Sequence, residues 1–551
     1  MASTADSDSE LQTRTQRSPL ASQRAKEEKQ NSRKSRFEGM FPLSYKQGFS
    51  QWWSALPAAQ AEHRVLSFIP HLQQPPTHTK TGSEPPTRNN STVEINQDAS
   101  LEQVVTTNSF TDPHGPRTWH SRLVPLSGKN RALNEFSVER TAEPADNNLV
   151  ILHGYGAGLG FFYKNFEPLS RAKGWQLYAL DMLGMGRSSR PPFRLKSKTR
   201  ETQITEAEDW FIDSLEEWRV KRKIDKFTLI GHSMGGYMAV CYALKYPGRL
   251  NKLILASPVG IPEDPYATHA AMPPAPDAQN DDPESNPANT GDNNNFLNAR
   301  KKAEKDAQLK QKANPNRLPA GDDGSDSEAP PPRRPLPKWL TYLWDANISP
   351  FSFVRWAGPL GPRLVSGWTS RRFSHLPPEE AHALHDYSYS LFRLRGSGEY
   401  ALAYILAPGA FARSPLIRRI GGVGRQPLES RTHEVNEAGE LKQHPGAATP
   451  ASPDTTSSSK PKREHGIPVV LMYGENDWMD VKGGYAAKKL LEAEAKSVLA
   501  NASSEERAQD NGSAKVVIIK NAGHHLYLDN AEDFNEVILK EMEDVKKTQK
   551  R

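Results

Sequence analysis

The chain has 551 residues and a mass of 61.4 kDa, long enough for one large enzyme domain with appendages or for two to three average domains. Apolar residues make up only 36% and mean hydropathy is -0.71, so part of the length builds no core. The formal charge is +6, and residues 14–36 account for it with eight basic side chains against Glu27 and Glu28; the balanced remainder makes no case for nucleic acid, and no run of 18 apolar residues predicts a transmembrane helix.

In chain order, residues 1–36 are Ser-, Gln-, Lys- and Arg-rich without apolar periodicity and read as a disordered basic leader. Such a leader suits an anionic membrane surface or an import receptor, although Asp6, Asp8 and Glu10 interrupt a transit-peptide pattern. Residues 37–73 form an amphipathic aromatic segment. Phe41, Tyr45, Phe49, Trp52, Trp53 and Leu56 recur at three- and four-residue steps on one side of a helix that Pro57 ends or kinks. That face either packs on the main domain or lies at a membrane interface. Residues 74–110, rich in Pro, Thr, Ser and Asn, read as linker.

Residues 111–261 carry the first part of a core. The runs His120–Leu126 and Phe136–Arg140 read as a pair of edge strands. NNLVILHGYG, WQLYALDMLGMG, FTLIGHSMGG and LNKLILASPVG then repeat a short apolar run with a Gly-containing turn, separated by helical stretches such as Glu206–Val220. This predicts an α/β fold with a mostly parallel central sheet and helices on both faces. Residues 262–337 are low-complexity and read as a disordered insertion. Residues 338–424 read as a helical lid inserted after the sixth strand, opening on an aromatic stretch that includes Trp339, Trp344, Phe351 and Trp356. A second disordered insertion is expected over 425–465, and the core resumes over 466–546 with IPVVLMYGENDW and AKVVIIKNAGHH.

FTLIGHSMGG contains Gly231-His232-Ser233-Met234-Gly235, a G-x-S-x-G pattern between a predicted strand and a predicted helix. Small residues two before and two after the serine let the backbone turn tightly and present the hydroxyl at a helix start, where the dipole favours negative charge. A serine hydroxyl needs a base, and this strand–turn–helix arrangement expects an acid and then a histidine after later strands. MYGENDWMD offers Asp477, with Asp480 one turn away as the alternate acid, and KNAGHH offers His524 directly after the last strand. HGYG at His153–Gly156 supplies the other half of an oxyanion hole, with the backbone N–H groups of Tyr155 and Met234 as donors.

His524 and Asp529 also spell H-x-x-x-x-D, an acyltransferase-type motif. Asp529 is expected to cap the helix beginning Asn530-Ala531-Glu532, while acyl transfer stays open because water or a lysolipid hydroxyl can resolve an acyl-enzyme. Trp339, Trp344, Phe351 and Trp356 form either a lid core or a surface entering the bilayer interface. Arg187, Arg190, Arg355, Arg363, Arg371 and Arg372 either meet lipid phosphates or are solvated surface. The chemistry calls for no metal and no cofactor. The single cysteine, Cys241, cannot form an intrachain disulfide, which fits a reducing or mitochondrial compartment.

LHGYGAGLGFFYKNFEPLS, ALDMLGMGRSSRP, WRVKRKIDKFTLIGHSMGGYMAVCYALKYPGRLNKLILASPVGIPE, SPFSFVRWAGPLG and AGHHLYLDN together resemble one branch of the α/β-hydrolases. That branch includes lysophospholipase/N-acylphospholipid hydrolases, a lipid-droplet lipase coactivator and mitochondrial cardiolipin-specific deacylases. GENDWMD and the bulky insertions make the resemblance nearest to the fungal cardiolipin-specific deacylases. The resemblance implies a serine phospholipase that deacylates cardiolipin to monolysocardiolipin through an acyl-Ser233 intermediate, peripheral on the mitochondrial inner membrane, with an anionic phospholipid surface as partner. Lysophospholipase or lysophospholipid acyltransferase activity, or a non-catalytic lipase-recruiting adaptor at a droplet surface, are the alternatives. The coactivator carries Asn at the nucleophile position, so Ser233 stands against the adaptor.

Overall fold

A computed structural model of the chain describes residues 41–81, 102–141, 143–263, 338–408, 410–428 and 462–549. The basic leader and the greater part of both polar insertions, 264–337 and 429–461, lie outside the described residues.

The aromatic segment folds as two helices. Ser44 starts α1 (Tyr45–Ser54): its hydroxyl accepts the Gln47 N–H while the Gln47 side chain accepts the Ser44 N–H, so two unpaired donors of the first turn are satisfied together. Ala55 ends α1 in the left-handed region at φ 48°, and Pro57 precedes α2 (Ala58–Leu66), which buries Ala58, Ala61, Val65 and Leu66. In contrast, α1 buries only Gly48 among its residues.

A strand the sequence does not announce follows. β1 (Glu102–Thr106) pairs antiparallel with β2 (Arg117–Pro125), placing Val104 opposite His120. The expected linker 74–110 therefore contains an edge strand, whose five largely exposed residues show no apolar alternation and take their order from the backbone of β2. β2 and β3 (Ala132–Arg140) are interior rather than edge strands, because β1 covers one side and β3 pairs with β5 on the other.

The α/β repeat then runs β4 (Asn147–Leu152), α3 (Tyr163–Leu169), β5 (Trp175–Leu180), α4 (Arg200–Lys221), β6 (Phe227–His232), α5 (Met234–Lys245) and β7 (Leu250–Ala256). The lid follows as α6 (Lys338–Asp345), α7 (Pro350–Trp356), α8 (Gly361–Arg372), α9 (Pro378–Phe392) and α10 (Leu402–Ile405), with a short ribbon of β8 (Leu406–Ala407) and β9 (Phe411–Ala412). The chain returns through β10 (Pro468–Gly474), α11 (Val481–Ala500), α12 (Ser504–Gln509), β11 (Ser513–Ile519), α13 (Leu526–Asp529) and α14 (Ala531–Gln549). Counting β1, the lid enters after the seventh strand rather than the sixth.

Nine strands form one sheet in the order β1-β2-β3-β5-β4-β6-β7-β10-β11, antiparallel up to β5 and parallel from there on. Both faces are covered: along β4, Val150 and Leu152 enter one apolar core, and Leu149 and Ile151 the other. The turns after β4, β6, β10 and β11 all leave from the carboxyl ends of parallel strands, where α/β sheets build their sites. The second insertion leaves through a closed neck, where the Leu428 N–H donates to the Lys462 carbonyl and Pro427 bridges Arg463.

Candidate active site

Ser233 lies between β6 and α5 with φ 52° and ψ −114°, a region a β-carbon disfavours. The glycines around it explain how the turn closes. A Cβ on Gly231 would come within 2.3 Å of the Gly235 carbonyl oxygen, and one on Gly235 within 2.7 Å of the carbonyl oxygens of Leu152 and His153. The Ser233 N–H donates to Ala256 of the neighbouring strand at 2.9 Å, which pins the turn to the sheet.

The loops after β10 and β11 interlock. The Asn476 N–H donates to the Ala522 carbonyl at 2.9 Å, and a Cβ on Gly474 would stand 2.3 Å from the Gly523 carbonyl oxygen, so only glycine lets the two backbones approach. Their side chains meet Ser233. His524 Nε2 lies 3.0 Å from Ser233 Oγ, and His524 Nδ1 lies 3.2 Å from Asp477 Oδ1. The carboxylate accepts from Nδ1–H, which leaves Nε2 as the acceptor for the serine hydroxyl. Asp477 also accepts from the Ser257 hydroxyl and, at 3.0 Å, from the Met479 N–H. Burial pushes its carboxyl up, but the bonds from His524, Ser257 and Met479 together outweigh burial and hold its pKa below the ordinary carboxylate value.

The alternate acid Asp480 is elsewhere employed: it is the N-cap of α11, accepting the Lys482 N–H at 3.0 Å. The His153–Gly156 turn backs onto the serine, since a Cβ on Gly154 would stand 3.0 Å from Ser233 Cβ. His153 itself points inward, its Nε2 accepting the Met182 N–H at 3.1 Å. Met234 opens α5, so its N–H belongs to the first turn, whose donors have no helical acceptor. The Tyr155 ring stacks on Phe351 of α7 at 4.9 Å between centroids, and Phe351 on Phe392 of α9 at 4.3 Å, which places the lid's aromatic stack beside this turn.

Burial or pairing turns Arg187, Arg190, Arg355 and Arg363 away from a lipid headgroup, whereas Arg371 is exposed. Arg187 is fully buried and donates to Glu62 of α2, to the His78 carbonyl and, at 3.1 Å, to the Lys80 carbonyl. Arg190 spends its guanidinium on the carbonyls of Gly184, Gly186 and Arg395 at 2.8 to 3.1 Å. Arg363 is 9% exposed and lies 3.9 Å over the Tyr45 ring, and Arg355 pairs with Glu399. Charges with these partners would lose them to reach a headgroup. Trp344 is a lid-packing residue, its indole N–H donating to the Leu406 carbonyl at 2.9 Å, whereas Trp356 is 69% exposed. Trp339 falls in α6, but its side chain lies outside the described residues.

Asp529 does not cap the last helix. Asn530 does, accepting the Asp533 N–H at 3.2 Å, while Asp529 accepts the Gly523 N–H at 2.9 Å. Sequence reasoning also missed Ser257 and His232. Ser257 directly follows β7, and its relevance shows only once β7 and β10 are neighbours; His232 donates through Nε2 to the His524 carbonyl at 2.9 Å. Burial drives the His232 pKa well down, so its ring is neutral. Trp478 covers His524 with ring centroids 4.9 Å apart. One group among the described residues has metal-ligand composition, His71, His114 and Glu167, but Glu167 already pairs with Arg117 and Arg171, whose charges oppose a cation there.

The fold and this arrangement define an α/β-hydrolase, and residues 147–531 match the family described as alpha/beta hydrolase fold. The chain belongs to that family. It is 29% identical over 419 residues to a 1-acylglycerol-3-phosphate O-acyltransferase of Arabidopsis thaliana, covering 75% of this chain and 70% of the relative. It is 27% identical over 428 residues to the 1-acylglycerol-3-phosphate O-acyltransferase ABHD5 of Mus musculus, covering 77% and 84%. It is 25% identical over 424 residues to the human (Lyso)-N-acylphosphatidylethanolamine lipase, covering 76% and 85%.

Proposed function

We propose that this protein is a serine acyl-ester hydrolase of membrane glycerophospholipids, a phospholipase A in type. The observation that carries the reading is the hydrogen-bonded chain from Ser233 Oγ through His524 to Asp477. In the proposed reaction, His524 Nε2 takes the hydroxyl proton as Oγ attacks the acyl carbonyl, and the Tyr155 and Met234 N–H groups receive the oxyanion. His524 then passes its proton to the departing lysolipid oxygen. Water, deprotonated by the same nitrogen, attacks the acyl-enzyme and frees Ser233 and the fatty acid.

Two features support a lipid substrate at a surface. α1 exposes Tyr45, Phe49 and Trp53 and packs on the Gly358–Leu360 turn and α8, next to the exposed Trp356 at the end of α7 and the exposed Leu360 and Leu364. Water is a poor solvent for such neighbouring aromatics, whereas a headgroup layer accepts them. The relatives' names describe enzymes of lysolipid and phospholipid acyl chemistry. Cardiolipin as substrate, and with it the mitochondrial inner membrane as location, is supported by the GENDWMD resemblance. Acyl transfer to a lysophospholipid is the second reading, favoured by the two O-acyltransferase relatives.

Mass spectrometry of acyl release from liposomes of cardiolipin, phosphatidylcholine, phosphatidylethanolamine and their lyso forms tests both. Wild type should release fatty acid, and Ser233→Ala and His524→Ala should each lose about 10³-fold or more. Selective formation of monolysocardiolipin supports the cardiolipin assignment, and acyl gain by the lyso forms supports transfer. Release that persists in Ser233→Ala, or none in wild type, overturns the hydrolase reading.

A further inference from the structure

The carboxylate of Asp529 faces two parts of the molecule at once. Oδ2 accepts the N–H of Gly523, the residue immediately before His524, at 2.9 Å. The same carboxylate faces the end of the lid helix α8, with Arg372 Nη2 3.9 Å from Oδ2 and His375 Nε2 3.5 Å from Oδ1. Arg372 also reaches Nδ1 of His525, and its buried Nε has no hydrogen-bond partner. Burial lowers the Arg372 pKa, while the Asp529 charge acts the other way. Asp529 comes back over Gly523 because α13 makes a single turn between them, with the Asp529 N–H donating to the His525 carbonyl at 2.9 Å. The five-residue spacing of His524 and Asp529 is thereby the length of that turn.

On the other side of the base, the His524 carbonyl accepts from His232 Nε2 at 2.9 Å. The main chain carrying His524 is thus held at two adjacent points, the Gly523 N–H and the His524 C=O, by side chains from α13 and β6. Asp529 makes neither of the two ring hydrogen bonds of His524, which go to Ser233 and Asp477.

We propose that Asp529 is a positioning residue that couples the lid to the base: it holds the loop that aims His524 and anchors the end of α8 through Arg372 and His375. The proposal deepens the reading of Ser233 and His524 as nucleophile and base and rests on it for its kinetic arm. Its two halves are separable by chemistry. Asparagine keeps an oxygen that accepts the Gly523 N–H and drops the charge that faces Arg372 and His375; alanine drops both.

The test uses the full chain as wild type, Asp529→Asn, Asp529→Ala and Ser233→Ala, with p-nitrophenyl butyrate turnover and amide hydrogen exchange measured on each. For Asp529→Ala, kcat should fall about tenfold or more with KM changed by less than about threefold, and Asp529→Asn should restore most of the loss. Exchange should quicken over 520–528 in Asp529→Ala alone and over 361–376 in both variants. Hydrolysis spared in Asp529→Ala, as a role confined to acyl transfer requires, overturns the proposal, and so does unchanged exchange over both segments. If wild-type turnover proves independent of Ser233, the hydrolase reading fails and the exchange arm still decides the role of Asp529. If Asp529→Ala does not fold, Arg372→Gln takes its place: quickened exchange over 361–376 in it and in Asp529→Asn supports the coupling, and unchanged exchange there overturns it.

Discussion

Asp477 and Asp480 stand three residues apart and differ completely in what they touch. Asp477 is bound by His524, Ser257 and the Met479 N–H, whereas Asp480 caps α11 at its solvent-facing start. Replacing Asp477 by Asn removes the acceptor charge that selects the Nδ1–H tautomer of His524, so kcat on a soluble ester should fall by about 10³ to 10⁴. Asp480→Asn retains a side chain that caps well, and its kcat should stay within about threefold of wild type. Steady-state kinetics of the two variants side by side decide the acid, and equal losses would remove Asp477 from the site. Both residues lie in one short window, MYGENDWMD, whose spacing from Gly474 prefers Asp477 but leaves Asp480 open as the alternate. The separation comes from the Asn476–Ala522 and Glu475–Ile519 backbone bonds, which turn Asp477 toward a loop more than forty residues later.

At the level of elements, α1 and the α7–α8 corner differ from the helices of the core in the side they leave uncovered. Among the described residues, Tyr45, Phe49, Trp53 and Trp356 remain about half exposed or more, while α2, directly after α1, buries its apolar side and ties Glu62 to Arg187 inside the fold. The three- and four-residue aromatic spacing predicts a helix with an apolar face; it is silent on whether that face packs or stays open. Gly48 sets the answer. Its close approach to the Pro359 carbonyl and Arg363, whose guanidinium lies over the Tyr45 ring, seats one side of α1 on the lid while Phe49 and Trp53 stay exposed. Phe49→Ser/Trp53→Ser should weaken sedimentation with anionic vesicles by about tenfold or more, given about 1.5–3 kcal/mol for each large apolar side chain removed from an apolar setting. Turnover of vesicle lipid should then fall further than turnover of a soluble ester. Equal vesicle binding by variant and wild type would leave the exposed face without this role.

The whole molecule holds several imidazoles in surroundings that refuse their charge. Burial lowers the pKa of His78 to about 3 and of His385 to about 4, and lowers those of His153 and His232 as well. An unfolded histidine titrates near 6.5, so below that pH the unfolded chain binds more protons than the native one, and stability falls as pH drops through the folded values. Each such group removes up to about 1.4 kcal/mol per pH unit in that window. Glu62, Asp209 and Asp386 act in the opposite direction, their pKa values raised by burial, that of Asp209 to about 6. Urea unfolding should show a lower midpoint at pH 5.5 than at pH 7.5, and a midpoint that is unchanged or higher at pH 5.5 would mean the carboxyls dominate.

What the sequence by itself determined about this protein is whatever a window of about ten residues can encode. Apolar runs ending in Gly-containing turns define the parallel strands, G-H-S-M-G defines a turn that only small neighbours allow, and A-G-H-H places a histidine directly after the last strand. Tertiary structure alone decided the matters that depend on partners far apart in the chain. Asp477 rather than Asp480 meets His524, Arg187 turns inward to Glu62, 125 residues away, and Asp529 holds Gly523 instead of capping a helix. β1 exists because β2 offers it an open edge. An arginine or aspartate looks the same in sequence whether water or a buried counter-charge awaits it, because desolvation and pairing are settled by the residues that the fold brings beside it.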